Sequence, residues 1–294
     1  MSQAPITIAG ADLTARIDVF GAELLSLTDS HAREYMTDAD PAFWSGHAPI
    51  LFPVVGSLVE DRMRVNGQSY PMARHGFARH SRFALVEQVA DAVTLRLTDN
   101  AETRAAYPFA FILDLRFRVS GLRLDMSATV TNPGDAPLPF SFGYHPAFAW
   151  PLPGGADKSA HRLTFDTPEP QDIRRVAPGT GVLLPTGEPT PVQGRDLMLA
   201  PDLFTADAVI WTDLASRGLT YHAPGGAALR LEFPDTAMLG LWQVPGARYI
   251  CIEPWQGHAD PAGFAGDFTE KPGLVLLPPG QAKIYRLSVT ITPP

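Results

Sequence analysis

Apolar and polar residues alternate with a period of two along several stretches of the chain. Every second residue is apolar in 122–130, and residues 111–119 just before them show the same alternation. The pattern returns at 229–233 and at 285–291. Because successive side chains of a β-strand point to opposite faces, these stretches predict strands with one packed and one wetter face. Gly121, between the first two stretches, predicts the turn of a hairpin.

Proline and glycine interrupt the chain so often that long helices have little room. The chain has 294 residues, of which 29 are Pro and 25 are Gly. Residues 99–109 predict one short helical turn, capped by Asp99 or Asn100 and ended before Pro108. A second short helical segment is predicted within residues 196–209.

The organisation predicts an all-β protein. Residues 150–194 are rich in Pro and Gly and predict long loops with short strands between them. No fixed-period repeat, low-complexity tract or linker divides the sequence. We therefore expect residues 1–294 to form one large antiparallel β-sandwich domain with few short helices.

The net charge of the chain limits the expected classes of binding partner, and its cysteine content limits disulfide formation. The chain carries 31 acidic and 23 basic residues, a formal net charge of -8. This balance argues against nucleic acid and against an anionic membrane surface, and it favours a small molecule. A single cysteine cannot form an internal disulfide. With no evident signal peptide and no apolar run of about 18–20 residues, we expect a soluble cytoplasmic protein, monomeric or homodimeric.

A carboxylate interrupts an apolar strand near the C-terminus. Residues 248–257 read RYICIEPWQG, and the period of two places Cys251 and Glu253 on one face, opposite two isoleucines. Pro254 is expected to close this strand. Cys251 is interpreted as a small buried filler. Apolar surroundings are expected to raise the pKa of Glu253 and make it a better base near neutral pH.

Two histidines and two tryptophans complete a candidate site. His75 precedes a glycine within RHGFARHSR, and His145 lies between glycine and proline in an aromatic segment. A neutral imidazole and a carboxylate can divide the roles of acid and base. Trp242 and Trp255 offer flat faces of the kind that stack on sugar C–H groups. These residue types indicate acid–base chemistry on a carbohydrate.

Each candidate also has a structural interpretation. His75 is then a surface histidine in a basic turn, and His145 a half-buried histidine hydrogen-bonded to the backbone. Glu253 is then a strand-end carboxylate paired with an arginine such as Arg248. The tryptophans are then core or edge filler.

Three motifs resemble those of the aldose 1-epimerase (galactose mutarotase-like) family, most closely its LacX-like branch. They are HGFAR at 75–79, GYHPAF at 143–148 and CIEPWQGHAD at 251–260. Further similarity extends over nearly the whole chain, from FGAELLSL through PILFPVVGSL to KPGLVLLPPG.

The resemblance implies a β-supersandwich and an isomerase that interconverts the α and β anomers of an aldose without metal or organic cofactor. By this likeness, Glu253 is the general base that takes the proton of the anomeric hydroxyl O1. His145 is the general acid that protonates the ring oxygen O5. His75 hydrogen-bonds the sugar near the ring oxygen, and Asp207 binds sugar hydroxyls.

One position departs from the family pattern. Ser57 stands where better-known members carry an arginine that holds the sugar. Arg79 or Arg62 is expected to supply the missing donors. The cluster of Arg74, Arg79 and Arg82 also suits a phosphate, so a hexose 6-phosphate is the alternative substrate. In the structural interpretation, Arg74 and Arg82 are charges on an exposed turn.

Two other functions remain open from the sequence. The first is a metal enzyme that uses His75, His145 and Glu253 as a two-histidine, one-carboxylate triad. The second is a sugar-binding module with the same fold and no turnover.

Overall fold

The computed structural model describes residues 4–294, whose regular secondary structure is mostly β-strand. The strands are β1 (Ile6–Ala9), β2 (Leu13–Ile17), β3 (Leu24–Asp29), β4 (Ile50–Leu51), β5 (Arg62–Val65), β6 (Gln68–Pro71), β7 (Ala84–Gln88), β8 (Ala92–Thr98), β9 (Ile112–Ser120), β10 (Arg123–Thr131), β11 (Leu138–Phe140), β12 (Phe142–Tyr144), β13 (Ala147–Ala149), β14 (Arg162–Phe165), β15 (Asp196–Met198), β16 (Val209–Trp211), β17 (Gly218–His222), β18 (Ala228–Glu232), β19 (Met238–Trp242), β20 (Tyr249–Gln256), β21 (Val275–Leu277) and β22 (Ala282–Thr292). The helix α1 spans Ala101–Ala106, and 3-10 turns span Val59–Asp61, Ala78–His80, Lys158–Ala160, Pro201–Phe204 and Phe268–Glu270.

Two sheets dominate the architecture. A nine-stranded sheet has the order β15-β14-β17-β18-β22-β10-β9-β8-β7, and a six-stranded sheet has the order β16-β19-β20-β12-β4, with β13 pairing β20. Strands β1–β3 form a three-stranded sheet, while β5-β6 and β11-β21 form two-stranded sheets. All pairs of these named strands are antiparallel.

The alternating stretches form the strands that the pattern predicts. In the hairpin β9-β10, every second residue is buried, and the turn lies at Gly121 between paired Ser120 and Arg123. The buried face of β10 continues across β22 and β18, where the predicted apolar residues are also buried. The apolar period of two therefore located the strands at the centre of the large sheet.

The two large sheets pack face to face. Phe142 of β12 stacks on Tyr285 of β22, with ring centroids 5.0 Å apart and an interplanar angle of 15°. The Tyr144 hydroxyl donates to the Tyr285 carbonyl oxygen at 2.9 Å. Ile250 and Ile252 of β20 face the same core. This sandwich confirms the predicted fold class.

The first predicted helical segment is confirmed, whereas the second is helical over only part of its predicted range. The Asn100 side chain accepts from the backbone N–H groups of Glu102 and Thr103 and caps α1, which ends before Pro108. Within 196–209, the helical part is only the 3-10 turn Pro201–Phe204, because β15 occupies the start of that range. None of the helices in residues 4–294 is long and apolar enough to cross a membrane.

Strand β20 continues through Pro254, so the prediction that this proline ends the strand is wrong. The backbone N–H of Ile252 donates to the Pro146 carbonyl, on the side of β12 and β13. Backbone N–H groups two residues apart in a strand point the same way. The N–H that Pro254 lacks therefore falls beside the break between β12 and β13, where the ladder is already interrupted.

Candidate active site

A break between two short strands places a histidine opposite the carboxylate of β20. Strand β13 pairs with the first half of β20 and β12 with its second half, in one continuous register. His145 and Pro146 form the break between them, and the shared register sets His145 across from Glu253. The His145 Nε2 atom lies 3.2 Å from Glu253 Oε2.

The two faces of β20 have different surroundings. One face packs against the nine-stranded sheet, while Glu253 and Trp255 lie on the opposite face and line a cavity. Trp255 lies between two glycines of the neighbouring strands: a Cβ at Gly240 would be 2.4 Å from its ring, and one at Gly143 would be 2.6 Å from it. The absence of side chains there lets a flat indole ring form the cavity floor.

The cavity has a volume of about 210 Å³ and opens to solvent. It brings together the proposed acid, base and sugar-binding residues His75, Arg79, His145, Asp207, Trp242, Glu253 and Trp255, whereas Arg62 and Arg82 lie outside its lining. Its lining residues are Trp44, Gly56, Arg74, His75, Arg79, His145, Val176, Gly181, Asp207, Ala208, Ile210, Trp242, Glu253, Trp255 and Ala259.

His75 is buried and held by two reciprocal hydrogen bonds. Its backbone N–H donates to the Gly56 carbonyl at 3.0 Å, and the Gly56 N–H donates to His75 Nδ1 at 3.1 Å. Because Nδ1 accepts a hydrogen bond, the neutral ring carries its proton on Nε2. His75 also adopts a φ of 68°, a conformation uncommon outside glycine, so the loop fixes the ring in one position. The interpretation of His75 as a surface histidine is wrong.

Burial opposes charge on both members of the pair. It lowers the pKa of His145 to about 3 and raises the pKa of Glu253 well above 4.5. The charge of Arg74 and the nearby Trp255 indole act in the opposite direction on the pKa of Glu253, whereas Asp207 raises it further. Burial therefore favours the neutral form of the pair, in which the carboxyl holds the proton and the imidazole is uncharged.

Comparisons with known proteins show the family of the chain. The sequence model of the family "Aldose 1-epimerase" matches residues 5–273. This chain belongs to the aldose 1-epimerase family. It is 32% identical over 288 residues to the plasmid-encoded protein LacX of Lactococcus lactis subsp. lactis, covering 95% of this chain and 96% of LacX. The family resemblance of the three motifs is thereby confirmed.

Solved structures of the same family show the same fold. A galactose mutarotase related enzyme from Lactobacillus acidophilus superposes with a TM-score of 0.91 at 29% identity, covering 98% of this chain and 97% of the other. A galactose mutarotase-like protein from Lactobacillus casei superposes with a TM-score of 0.87 at 31% identity, covering 98% of this chain and 100% of the other.

The arginines around the family motif HGFAR separate into two groups. Arg74 and Arg79 line the cavity, and Arg79 Nη2 donates to the Arg74 carbonyl at 3.0 Å. Arg62 lies outside it and is bonded to Ser69, with Nε 2.6 Å from the hydroxyl. Arg82 is also absent from the lining. The expectation that Arg62 replaces the family arginine at Ser57 is therefore wrong.

Aromatic rings and a carboxylate form another part of the cavity wall. Trp44 and Trp242 both contact His145, with ring centroids 5.2 and 6.0 Å from its ring, and they contact each other with ring centroids 5.5 Å apart. Asp207 adopts a φ of 65°, and its Oδ1 accepts from the Ala208 N–H at 2.7 Å. The sequence analysis missed Trp44, whose only signal is its place beside a glycine-containing loop.

The contacts of Arg248 and the positions of the potential metal ligands test two alternatives from the sequence, an Arg248–Glu253 pair and a metal triad. Arg248 binds Asp38, so its predicted pairing with Glu253 is wrong. In residues 4–294, one group of three potential ligands is found: His145, Cys251 and Glu253 lie with their ligand atoms within 4.8 Å of one another. His75 is not in this group. The proposed two-histidine triad is therefore not formed. Burial and the neighbouring Glu253 raise the pKa of the Cys251 thiol, which disfavours the thiolate that a metal requires.

Proposed function

We propose that this protein is an aldose 1-epimerase, an isomerase that interconverts the α and β anomers of an aldose by acid–base catalysis. The observation that supports it most strongly is the direct contact of His145 and Glu253, 3.2 Å apart, on the wall of an aromatic cavity. An acid and a base at one place are what ring opening of a hemiacetal needs.

Ring opening moves two protons. Glu253, ionised, takes the proton from the anomeric hydroxyl O1, and the C1–O1 bond becomes the carbonyl of the aldehyde. The C1–O5 bond breaks as His145, protonated, gives its proton to O5. Rotation about C1–C2 turns the aldehyde, and the reverse proton transfers close the ring on the other face and restore both groups.

The reactive form and the resting form of the pair contain the same number of protons. In the resting form the proton is on Glu253 and His145 is neutral, as burial dictates. Transfer of that proton across the 3.2 Å contact gives the carboxylate and the imidazolium that opening requires. The neutral form, in turn, has the protons placed for ring closure.

The other cavity residues bind and orient the sugar. The Nε2–H of His75 points away from its Gly56 contact and serves as a fixed donor to an oxygen near the ring. Asp207 accepts from sugar hydroxyls, Trp242 and Trp255 stack on C–H faces, and Arg79 adds a donor. Each assignment is tested by the substitution of that residue.

The test is relaxation of a freshly dissolved α-aldose, followed by proton NMR of the anomeric signals. We expect acceleration above buffer for a member of a panel containing glucose, galactose and their 6-phosphates. Glu253→Gln and His145→Ala are each expected to lower the rate by about two orders of magnitude or more. No acceleration across the panel, with sugar still bound, supports the non-catalytic binding module instead.

A hexose 6-phosphate is the second candidate substrate. Arg74 and Arg79 both line the cavity, and no ion pair joins either to a carboxylate in residues 4–294. Guanidinium groups without a carboxylate partner suit phosphate oxygens. A higher kcat/KM for glucose 6-phosphate than for glucose favours this candidate. Elemental analysis tests the metal alternative, which stoichiometric metal and loss of activity on chelation would support.

A further inference from the structure

The Arg74 side chain lines the cavity beside Gly181, which has no side chain. A Cβ added to Gly181 would lie 2.6 Å from the Ser57 hydroxyl oxygen and 3.7 Å from Arg74 Nη1. The guanidinium of Arg74 and the hydroxyl of Ser57 are therefore neighbours across Gly181. The small side chains of Ser57 and Gly181 leave the space that the guanidinium occupies.

The backbone of Arg74 is held, whereas its side chain has no protein partner. Arg79 Nη2 donates to the Arg74 carbonyl at 3.0 Å, and the next residue, His75, is bonded to Gly56. No hydrogen bond or ion pair of the Arg74 guanidinium is found within residues 4–294. An arginine can donate five hydrogen bonds, so these donors remain free at the cavity rim, where the residue is exposed to solvent.

The charge of Arg74 acts on all three titratable groups at the centre of the site. It lowers the pKa of His75, of His145 and of Glu253, in each case as a weaker influence than burial. Arg74 lines the same cavity as all three groups. Arg74 is therefore placed to contact a bound sugar and to influence the proton equilibrium of His145 and Glu253.

We propose that Arg74 is a substrate-positioning residue whose guanidinium donates hydrogen bonds to oxygen atoms of the bound sugar. This inference rests on the proposed function of the same site. Arg79 contributes by fixing the Arg74 backbone. The sequence analysis expected Arg79 or Arg62 to supply the missing donors, and the cavity lining adds Arg74 to Arg79.

The electrostatic part makes a separate prediction. The charged and titratable groups around Glu253 are His145 across the strand, Cys251 and Tyr249 on its own strand, Asp207 before β16, and the cavity-lining residues Arg74, His75 and Arg79. Arg74 is the cation whose charge lowers the pKa of Glu253, and its substitution by a neutral residue removes that influence. The pKa of Glu253 must then rise, and the pair retains its proton to higher pH.

The variants are Arg74→Gln, Arg74→Lys and the control Arg62→Gln. Arg62 is a nearby exposed arginine bonded to Ser69 outside the cavity, so its substitution is expected to leave the kinetics unchanged. Arg74→Gln is expected to lower kcat/KM by about 10- to 100-fold, the range for a lost charge-assisted hydrogen bond, with a rise in KM. Its alkaline limb in the pH–rate profile should move to higher pH. Arg74→Lys should keep the wild-type limb and recover part of the loss.

Two results would overturn the inference. One is a kcat/KM of Arg74→Gln within about threefold of wild type, or a drop matched by Arg62→Gln. The other is an alkaline limb that stays at its wild-type pH in Arg74→Gln. If wild type itself accelerates no sugar, the proposed function fails, and quenching of tryptophan fluorescence by the same sugars measures the positioning role instead. An Arg74→Gln variant that binds sugar as well as wild type then overturns it.

Discussion

Replacing Glu253 by glutamine is expected to stabilise the protein at neutral pH while it removes the base. Glu253 is buried, with a side chain only 2% exposed, and burial raises its pKa well above 4.5. The folded state therefore binds a proton that the unfolded state releases above pH 4.5. The stability associated with Glu253 is fully present below that value and is lost as pH rises toward the folded-state pKa.

The size of the effect follows from the pKa difference. Each unit by which the folded-state pKa exceeds 4.5 costs about 1.4 kcal/mol of stability at a pH above both values. A pH of about 7 lies about 2.5 units above 4.5, so ionised Glu253 in the unfolded state can lower the stability by at most about 3.4 kcal/mol at that pH. Glutamine has nearly the same shape and no titratable proton, so it avoids this cost. We expect its stability relative to wild type to grow by about 1–3 kcal/mol between about pH 4 and pH 7.

Urea unfolding of wild type and Glu253→Gln at a series of pH values measures this difference. Glu102→Gln, at an exposed position in α1, is the control and should show no comparable growth. A difference between wild type and Glu253→Gln that stays constant from about pH 4 to pH 7, or that shrinks, refutes the raised pKa of Glu253. A cost of the amide group itself adds the same amount to the stability difference at every pH, so it does not affect the conclusion.

Three further predictions concern the pH dependence of the rate, the packing around Trp255, and the buried ion pair of Lys271 and Asp260. The rate should fall near pH 3, where the pair binds a second proton at His145, and again at a pH well above 4.5, where the pair loses its proton; a rate that is still rising above pH 4.5 contradicts this. Gly240→Ala puts a Cβ 2.4 Å from the Trp255 ring and should cost about 1–3 kcal/mol in thermal or urea unfolding, whereas unchanged stability argues against the close contact. Lys271→Met leaves Asp260, its partner at 3.0 Å, buried and unpaired, and should cost about 3–5 kcal/mol; a loss below about 1 kcal/mol contradicts the buried pair.

The fold was predictable from the sequence because its central strands are amphipathic. In β9 and β10 the apolar residues occupy one face of the nine-stranded sheet, so a period of two is visible. The strands of the six-stranded sheet are less transparent. Seven of the eight residues of β20 are buried, because one face meets the core and the other meets the cavity wall, and burial on both faces hides the period.

The site was predictable in its residues and not in its contacts. His75, His145 and Glu253 were identified by motif and by their apolar or rigid surroundings, and all three line the cavity. Their meeting depends on the break at His145 and Pro146, which no local pattern encodes. Pro254 was misinterpreted for the same reason, since a proline inside a strand is tolerated only where the neighbouring ladder is interrupted.

Which of the clustered arginines line the cavity was the hardest feature to predict. Arg74, Arg79 and Arg82 occur within nine residues of sequence, and only the fold separates them. Two line the cavity and one does not. Trp44 was missed in a similar way, because it contributes to the site from a loop distant in sequence from every motif.

The measurement that tests the central claim most directly is the relaxation of a freshly dissolved α-aldose with equal amounts of wild type and Glu253→Gln. The anomeric proton signals report both rates in one experiment. If His145 and Glu253 act as an acid–base pair, wild type accelerates the approach to the anomeric equilibrium and Glu253→Gln is slower by about two orders of magnitude or more. Equal acceleration by the two proteins would contradict the account.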